Sequence, residues 1–133
     1  MAGEIVLGYD DSDGAKAALP HAVDLAHAFR TPLILVFAYG QNPVGGVTGD
    51  VRRAVEETGE RMLQGARAAA VAHDPTVDVL AELVDGRPAD ALVEASRRHG
   101  ARILVVGRSA LDGRDRKRRA FHLRLPVPVR GLL

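Results

Sequence analysis

Apolar and polar positions along this chain follow two rhythms. Short, nearly continuous apolar runs occur at residues 4–9, 33–39 and 101–106, and residues 76–84 alternate partly and read as a further strand. Such runs suit buried parallel strands covered on both faces. Between them, apolar residues recur at three- and four-residue spacing, the period of an amphipathic helix. The first helix is predicted from Ser12 or Asp13 to residue 29, with Ala18, Ala22, Leu25 and Phe29 on its apolar face. Asp11, Ser12 and Asp13 supply capping oxygens at its start, where negative charge is favoured. Pro20 lies inside and is predicted to bend it, and Thr31-Pro32 marks the turn that follows. Residues 41–49 form a loop rich in Gly and Pro. Asp50 then caps a long helix reaching residue 72, with Val51, Val55, Met62, Ala66 and Ala69 as its apolar positions, and Asp74-Pro75 ends it. Asp85-Gly86-Arg87-Pro88 turns the third strand into a third helix, with proline near the start where it is tolerated. Ala91, Leu92, Ala95 and Ser96 carry that helix to Gly100, a predicted C-cap.

Strands alternating with helices predict an α/β fold: a single-domain, doubly wound, mostly parallel five-stranded sheet with helices on both faces. One domain spans residues 1–133, and the pattern deteriorates after Gly107. Residues 110–125 are expected to hold a short basic helix. Residues 127–133 are a poor candidate for the fifth strand, because Pro126, Pro128, Arg130 and Gly131 interrupt it.

Composition narrows the function classes. The apolar fraction of 47% and charged fraction of 26% are ordinary for a globular protein. Aromatics make up only 4%, so the core must be built from Ala, Val, Leu and Ile. No cysteine is present, which excludes disulfides, thiolate chemistry and cysteine metal sites. Without a signal-peptide pattern or an apolar run of membrane-spanning length, a cytoplasmic protein with no membrane association is expected. The five histidines show no zinc-ligand spacing.

The net charge of +1 hides an asymmetry. Residues 1–100 carry 9 Lys/Arg against 15 Asp/Glu, and residues 101–133 carry 9 against 2. Arg114-Asp115-Arg116-Lys117-Arg118-Arg119 supplies much of the excess. It reads as a solvated surface or as an anion site for phosphates or nucleic acid. No aromatics interleave with it, which argues against a stacking platform for single-stranded nucleic acid.

The candidate chemistry lies where strands end. Ile5-Val6-Leu7-Gly8-Tyr9 stops in Asp10-Asp11-Ser12, and Ile103-Leu104-Val105-Val106 stops in Gly107-Arg108-Ser109. Open α/β sheets bind ligands at such strand ends, and a glycine there can let a ligand approach the main chain.

These residues resemble the universal stress protein family. The strand running into Asp10-Asp11-Ser12 is similar to the family's opening strand and aspartate, and Ala18-Leu19-Pro20-His21-Ala22 to its first helix. Val84-Asp85-Gly86-Arg87-Pro88-Ala89 resembles its Gly-x-Pro-Ala turn, residues 103–107 the strand opening its nucleotide motif, and Pro126-Val127-Pro128-Val129 the lead-in to its last strand. The resemblance implies an adenine nucleotide alpha hydrolase-like fold, a homodimer, and a stress-response protein that binds ATP without fast catalysis. It further implies that Asp10, with Asp11 beside it, faces ribose or adenine and that Tyr9 lines the base. Ala38 would meet adenine through its backbone, and Gly107 would lie under ribose or phosphates.

The ATP-binding pattern of the family is Gly-x-x-Gly, nine residues, then Gly-Ser or Gly-Thr, which wraps phosphates at a helix start. This chain keeps Gly107, but the later positions fall on Ala110, Ala120 and Phe121. Either the phosphate loop is remodelled, with Arg108, Ser109, Gly113 and the basic run as an anion site and Mg²⁺ held through phosphates, or it is lost. In the second case the fold acts through protein contacts or dimerisation. Asp10 as a plain helix cap and Ala38 as core packing are the structural alternatives. The dimer is expected to be weaker than usual, because Arg130 and Gly131 break the pattern of the last strand. A Mg²⁺-dependent phosphoacceptor built on Asp10, Asp11, Asp85 and Ser109 lacks the lysine such chemistry needs. A hydrolase lacks a Gly-x-Ser-x-Gly elbow.

Overall fold

The computed structural model describes residues 3–39 and 49–107, together with the backbone of residues 120–124. Among the described residues eight elements follow in order: β1 (Ile5–Gly8), α1 (Asp13–Phe29), β2 (Leu33–Tyr39), α2 (Gly49–His73), β3 (Val79–Asp85), α3 (Pro88–Arg98), β4 (Ile103–Gly107) and β5 (Ala120–Arg124). They build one five-stranded sheet in the order β3-β2-β1-β4-β5. β1 pairs parallel with β2 and β4, and β2 pairs parallel with β3. β5 runs antiparallel to β4, with Gly107 opposite Ala120 and Ile103 opposite Arg124.

The apolar runs are continuous because the sheet is covered twice. Ile5, Leu7, Leu33, Leu35, Ile103 and Val105 join Ala18, Ala22 and Ala26 of α1 and Leu63, Ala66 and Ala70 of α2 in one core. Val6, Ile34, Val36, Leu104 and Val106 face the other way, against Ala95 of α3. The chain steps from β1 to β2 to β3 in one direction, with α1 and α2 on the first face. It then crosses back to β4 through α3 on the second face. Right-handed crossovers require that switch of face.

Helix boundaries follow local chemistry. Ser12 is the N-cap of α1, and Arg30 at φ 57° ends the helix by donating its N–H to Ala26 and His27 carbonyls. α1 continues through Pro20. Arg87 precedes Pro88 at the start of α3, His99 is its C-cap, and Gly100 follows at φ 62°, a conformation that suits glycine. Beyond that cap, the His99 ring bridges Glu82 on β3 (2.7 Å) and Glu4 ahead of β1 (3.3 Å), and Arg98 reaches Glu82 (3.3 Å). Burial alone would raise the Glu82 carboxyl, but the His99 hydrogen bond and the Arg98 charge hold it below the usual glutamate value.

Several expectations from the pattern are corrected. The fifth strand is residues 120–124, antiparallel, which rules out a basic helix extending through residue 125. Phe121 and Leu123 alternate with His122 and Arg124, a strand period that the neighbouring arginines obscured. Residues 110–119 and 127–133 lie outside the described residues, as do 40–48 of the Gly/Pro-rich loop. β3 begins at Val79, three residues later than expected. The Asp74 carboxylate accepts from both the N–H (3.0 Å) and the hydroxyl (2.6 Å) of Thr76, which holds that stretch in a turn. β4 likewise begins at Ile103, and includes Gly107. Asp50 lies inside the first turn of α2. Val51 and Val55 are exposed, because the buried residues of α2 start only at Gly59.

Candidate functional site

The strand order creates one place where the connections diverge. From β1 the chain leaves through α1 on one face, and α3 brings it back to β4 on the other. The gap above the carboxyl ends of β1 and β4 is the topological switch point, where open α/β sheets bind ligands. The sequence places Tyr9-Asp10-Asp11-Ser12 at one of these ends and Gly107 at the other.

The turn after β1 is tightly specified. Tyr9 still donates its N–H to the Val36 carbonyl (2.9 Å), so it continues the ladder towards β2. Asp10 is exposed, and its Oδ1 accepts from the Ser12 N–H (3.1 Å). The exposed Asp10 carboxylate thus stands at the carboxyl end of β1, fixed to the turn through one oxygen. Asp11 takes φ 65°, a left-handed conformation that side chains disfavour. The Ser12 hydroxyl accepts from Ala15 N–H (3.1 Å) and its carbonyl from Lys16 N–H (2.9 Å), which starts α1.

Tyr9 does not lie open to the gap. Its ring belongs to the core beside Ile5 and Leu7, at 5% exposure. Its hydroxyl donates to Asp11 Oδ1 (3.3 Å). Burial first, then the neighbouring Asp11 and Asp10 carboxylates, push the phenol up to about 12. Lys16 Nζ lies 3.8 Å from the same Asp11 oxygen.

Gly107 lies against α1. A Cβ built there would stand 2.3 Å from Gly14 C, 2.5 Å from Ala15 N and 2.6 Å from Gly14 O. The bare Cα thus admits the first turn of α1 and brings the Asp10–Ser12 turn against the end of β4.

Ala38 is one strand further along, paired with Val84 near the end of β2. Beside it the Tyr39 hydroxyl donates to Glu56 of α2 (2.6 Å), which raises the Tyr39 phenol. Arg52 of α2 pairs with Asp85 (2.9 Å) and lies over the Tyr39 ring. These contacts clip the start of α2 to the ends of β2 and β3. Asp85 is two strands from Asp10, roughly 10 Å at ordinary strand spacing, and it is paired with Arg52. The structure therefore does not gather the acidic set a phosphoacceptor would use. Among the described residues no group of three or more His, Asp or Glu could hold a metal ion, and no helix is long and apolar enough to cross a membrane.

Tyr9, Asp10, Asp11 and Gly107 are thus brought together, with Ala38 at the neighbouring strand end. Arg108, Ser109 and Gly113 lie outside the described residues. The sequence reading missed Gly14 and Lys16. A glycine in the first turn of a helix, where it costs stability, was the available signal for the former.

A model of the universal stress protein family matches residues 1–120. The chain is similar to a universal stress protein of Thermus aquaticus encoded in a sulfhydrylase 3′ region, 36% identical over 112 residues, covering 80% of this chain and 77% of that one. Among solved structures it is similar to a universal stress protein in complex with cAMP, with a TM-score of 0.68 and 29% identity over 83% of this chain and 79% of that one. It is also similar to a family protein from Burkholderia pseudomallei, with a TM-score of 0.69 and 27% identity over 84% and 86% of the two chains.

Proposed function

Because the chain belongs to the universal stress protein family, we propose that it is a cytoplasmic adenine-nucleotide binding module without fast catalysis. The observation that carries this reading is the exposed Asp10 carboxylate, held by the Ser12 N–H at the β1/β4 switch point. Its remaining oxygen suits a ribose hydroxyl or the adenine amine. The 29%-identical structure described as a cAMP complex supports the same ligand class. The Ser12 hydroxyl is engaged as a helix cap, which disfavours it as a nucleophile.

Phosphates need positive charge that the described mouth supplies sparingly, since Lys16 lies beside the Asp11 carboxylate and the turn also carries Asp10 and Asp13. β4 and β5 are antiparallel neighbours, so the chain leaves Gly107 and re-enters at Ala120 at the same end of the sheet. Residues 108–119 carry six Lys/Arg against two Asp. In this reading Arg108, Ser109, Gly113 and the basic run meet the phosphates of ATP in place of motif glycines, with Mg²⁺ held through phosphate oxygens.

A second reading keeps the fold without the nucleotide and assigns it to protein contacts. It is favoured by Ala110 and Ala120 at the motif positions, and by the α1 backbone filling the space beside Gly107. Thermal unfolding with cAMP, AMP, ADP and ATP, with and without Mg²⁺, separates the two. A ligand at a hundredfold over its Kd stabilises the folded state by about 2.7 kcal/mol. The binding reading requires a rise in midpoint that Asp10→Ala abolishes, and no rise with any nucleotide at millimolar concentration would end it. Assembly is read as a homodimer weakened by Arg130 and Gly131. A stable dimer at low micromolar concentration, seen by sedimentation, would contradict the weakening.

A further inference from the structure

Tyr9, Asp11 and Lys16 form a unit whose purpose the nucleotide reading leaves open. Tyr9 presents almost no ring surface to the gap, so it is poorly placed to line a base. Asp11 holds a left-handed backbone without being glycine, and one of its oxygens meets both the Tyr9 hydroxyl and the Lys16 ammonium. Left-handed residues with side chains persist where neighbours hold them. The reversal at Asp11 is what lets Asp10 accept from Ser12 and Ser12 cap α1 within four residues of the strand end.

We infer that Tyr9 is a positioning residue: its hydroxyl, with Lys16, holds Asp11 in the left-handed conformation that aims the Asp10 carboxylate into the β1/β4 gap. Asp11 then serves the site through its backbone, and its carboxylate is a tether to the protein. The inference rests on the nucleotide reading for its consequence and on the turn geometry alone for its cause. It makes Asp10 a ligand-facing group whose direction is set from inside the core. A rigid aromatic anchored between β1 and α1 transmits that position to the surface.

The test separates a backbone role from a ligand contact. Glycine adopts φ near +65° freely, whereas alanine there meets the left-handed penalty and also lacks the tether. Affinity for cAMP is measured by calorimetry for the wild type, Tyr9→Phe, Asp11→Gly, Asp11→Ala and the Tyr9→Phe/Asp11→Gly double variant. Tyr9→Phe and Asp11→Ala should each weaken binding about three- to tenfold, the range for one ordinary hydrogen bond. Asp11→Gly should bind like the wild type, and should do so equally in the Tyr9→Phe background. Equal loss from Asp11→Gly and Asp11→Ala would make the carboxylate a direct ligand contact and overturn the inference, as would unchanged affinity in Tyr9→Phe. The same variants unfolded in urea without nucleotide provide an independent arm. Asp11→Gly must be more stable than Asp11→Ala, and equal midpoints would remove the left-handed requirement. Failure of the wild type to bind any adenine nucleotide would instead sink the proposed function, and the urea arm would still decide the clamp.

Discussion

Replacing Gly107 by alanine asks whether its bare Cα serves the fold or a ligand. The added methyl would stand 2.3–2.6 Å from three backbone atoms of Gly14 and Ala15. Carbon contacts are comfortable near 3.5–4.0 Å, so the overlap is about 1 Å. No flexible side chain can turn aside, because the obstacle is the first turn of α1. Either α1 lifts at its start or the end of β4 shifts, and both strain the Ser12 cap. Overpacking of this kind costs about 1–3 kcal/mol, and backbone on both sides places this case at the upper end. For a domain of this size that is a fall of roughly 10 °C in Tm. Urea unfolding followed by circular dichroism reads it directly: the midpoint should drop with an unchanged slope. Gly65→Ala is the control, since a Cβ there meets nothing within 4 Å. In the interior of α2 it should stabilise by about 0.5–1 kcal/mol. If Gly107→Ala unfolds at the wild-type midpoint yet loses nucleotide affinity, the packing argument is refuted and the glycine serves the ligand.

Three further outcomes follow from the same contacts. Absorbance at 295 nm should resolve the Tyr9 phenol ionising near 12, and stability should fall as pH rises from about 10, where the unfolded tyrosine ionises first; a Tyr9 titration near 10 would contradict its burial. Glu82 is depressed by His99 and Arg98, so its contribution is present above the ordinary glutamate value and lost as pH falls through its folded value. Glu82→Gln should therefore flatten the acid limb of the stability profile, by less than about 1 kcal/mol for so open a cluster, and an unchanged limb would count against the His99 bridge. Ser12→Ala removes the N-cap of α1 and should cost about 1 kcal/mol in urea unfolding, whereas a neutral result would mean that water replaces it.

Much of this architecture was written in local pattern. β2 matches its apolar run, α3 opens at Pro88 and closes before Gly100, and α1 starts where the acidic turn ends. Those signals are local: a missing N–H, a glycine beyond the last turn, a capping hydroxyl. The errors arose where particular side-chain and strand contacts overrode the apolar pattern. Val51 and Val55 have helical spacing, but this turn of α2 meets the strand ends through Arg52 and Glu56 instead. Thr76-Val77 looks like strand until the Asp74 side chain captures its backbone. β5 pairs with the free edge of β4, and its own short alternation is overshadowed by the arginines before it. The site divides in the same way. Asp10 and Asp11 are legible as the polar stop to a buried strand, whereas the burial of Tyr9 and the contact of Gly14 with Gly107 depend on how α1 lies across the sheet.

The antiparallel pairing of β5 has an evolutionary corollary. A parallel last strand would need a crossover, and any change in the intervening chain would have to preserve a helix that covers the sheet. Here Gly107 and Ala120 are cross-strand partners, so the stretch between them starts and finishes at adjacent points. It can lengthen, shorten or change charge while the ladder below keeps its register. The stretch that joins β4 to β5 is therefore an exchangeable cassette on a fixed chassis, and relatives could rewrite about a dozen residues there without renegotiating the core.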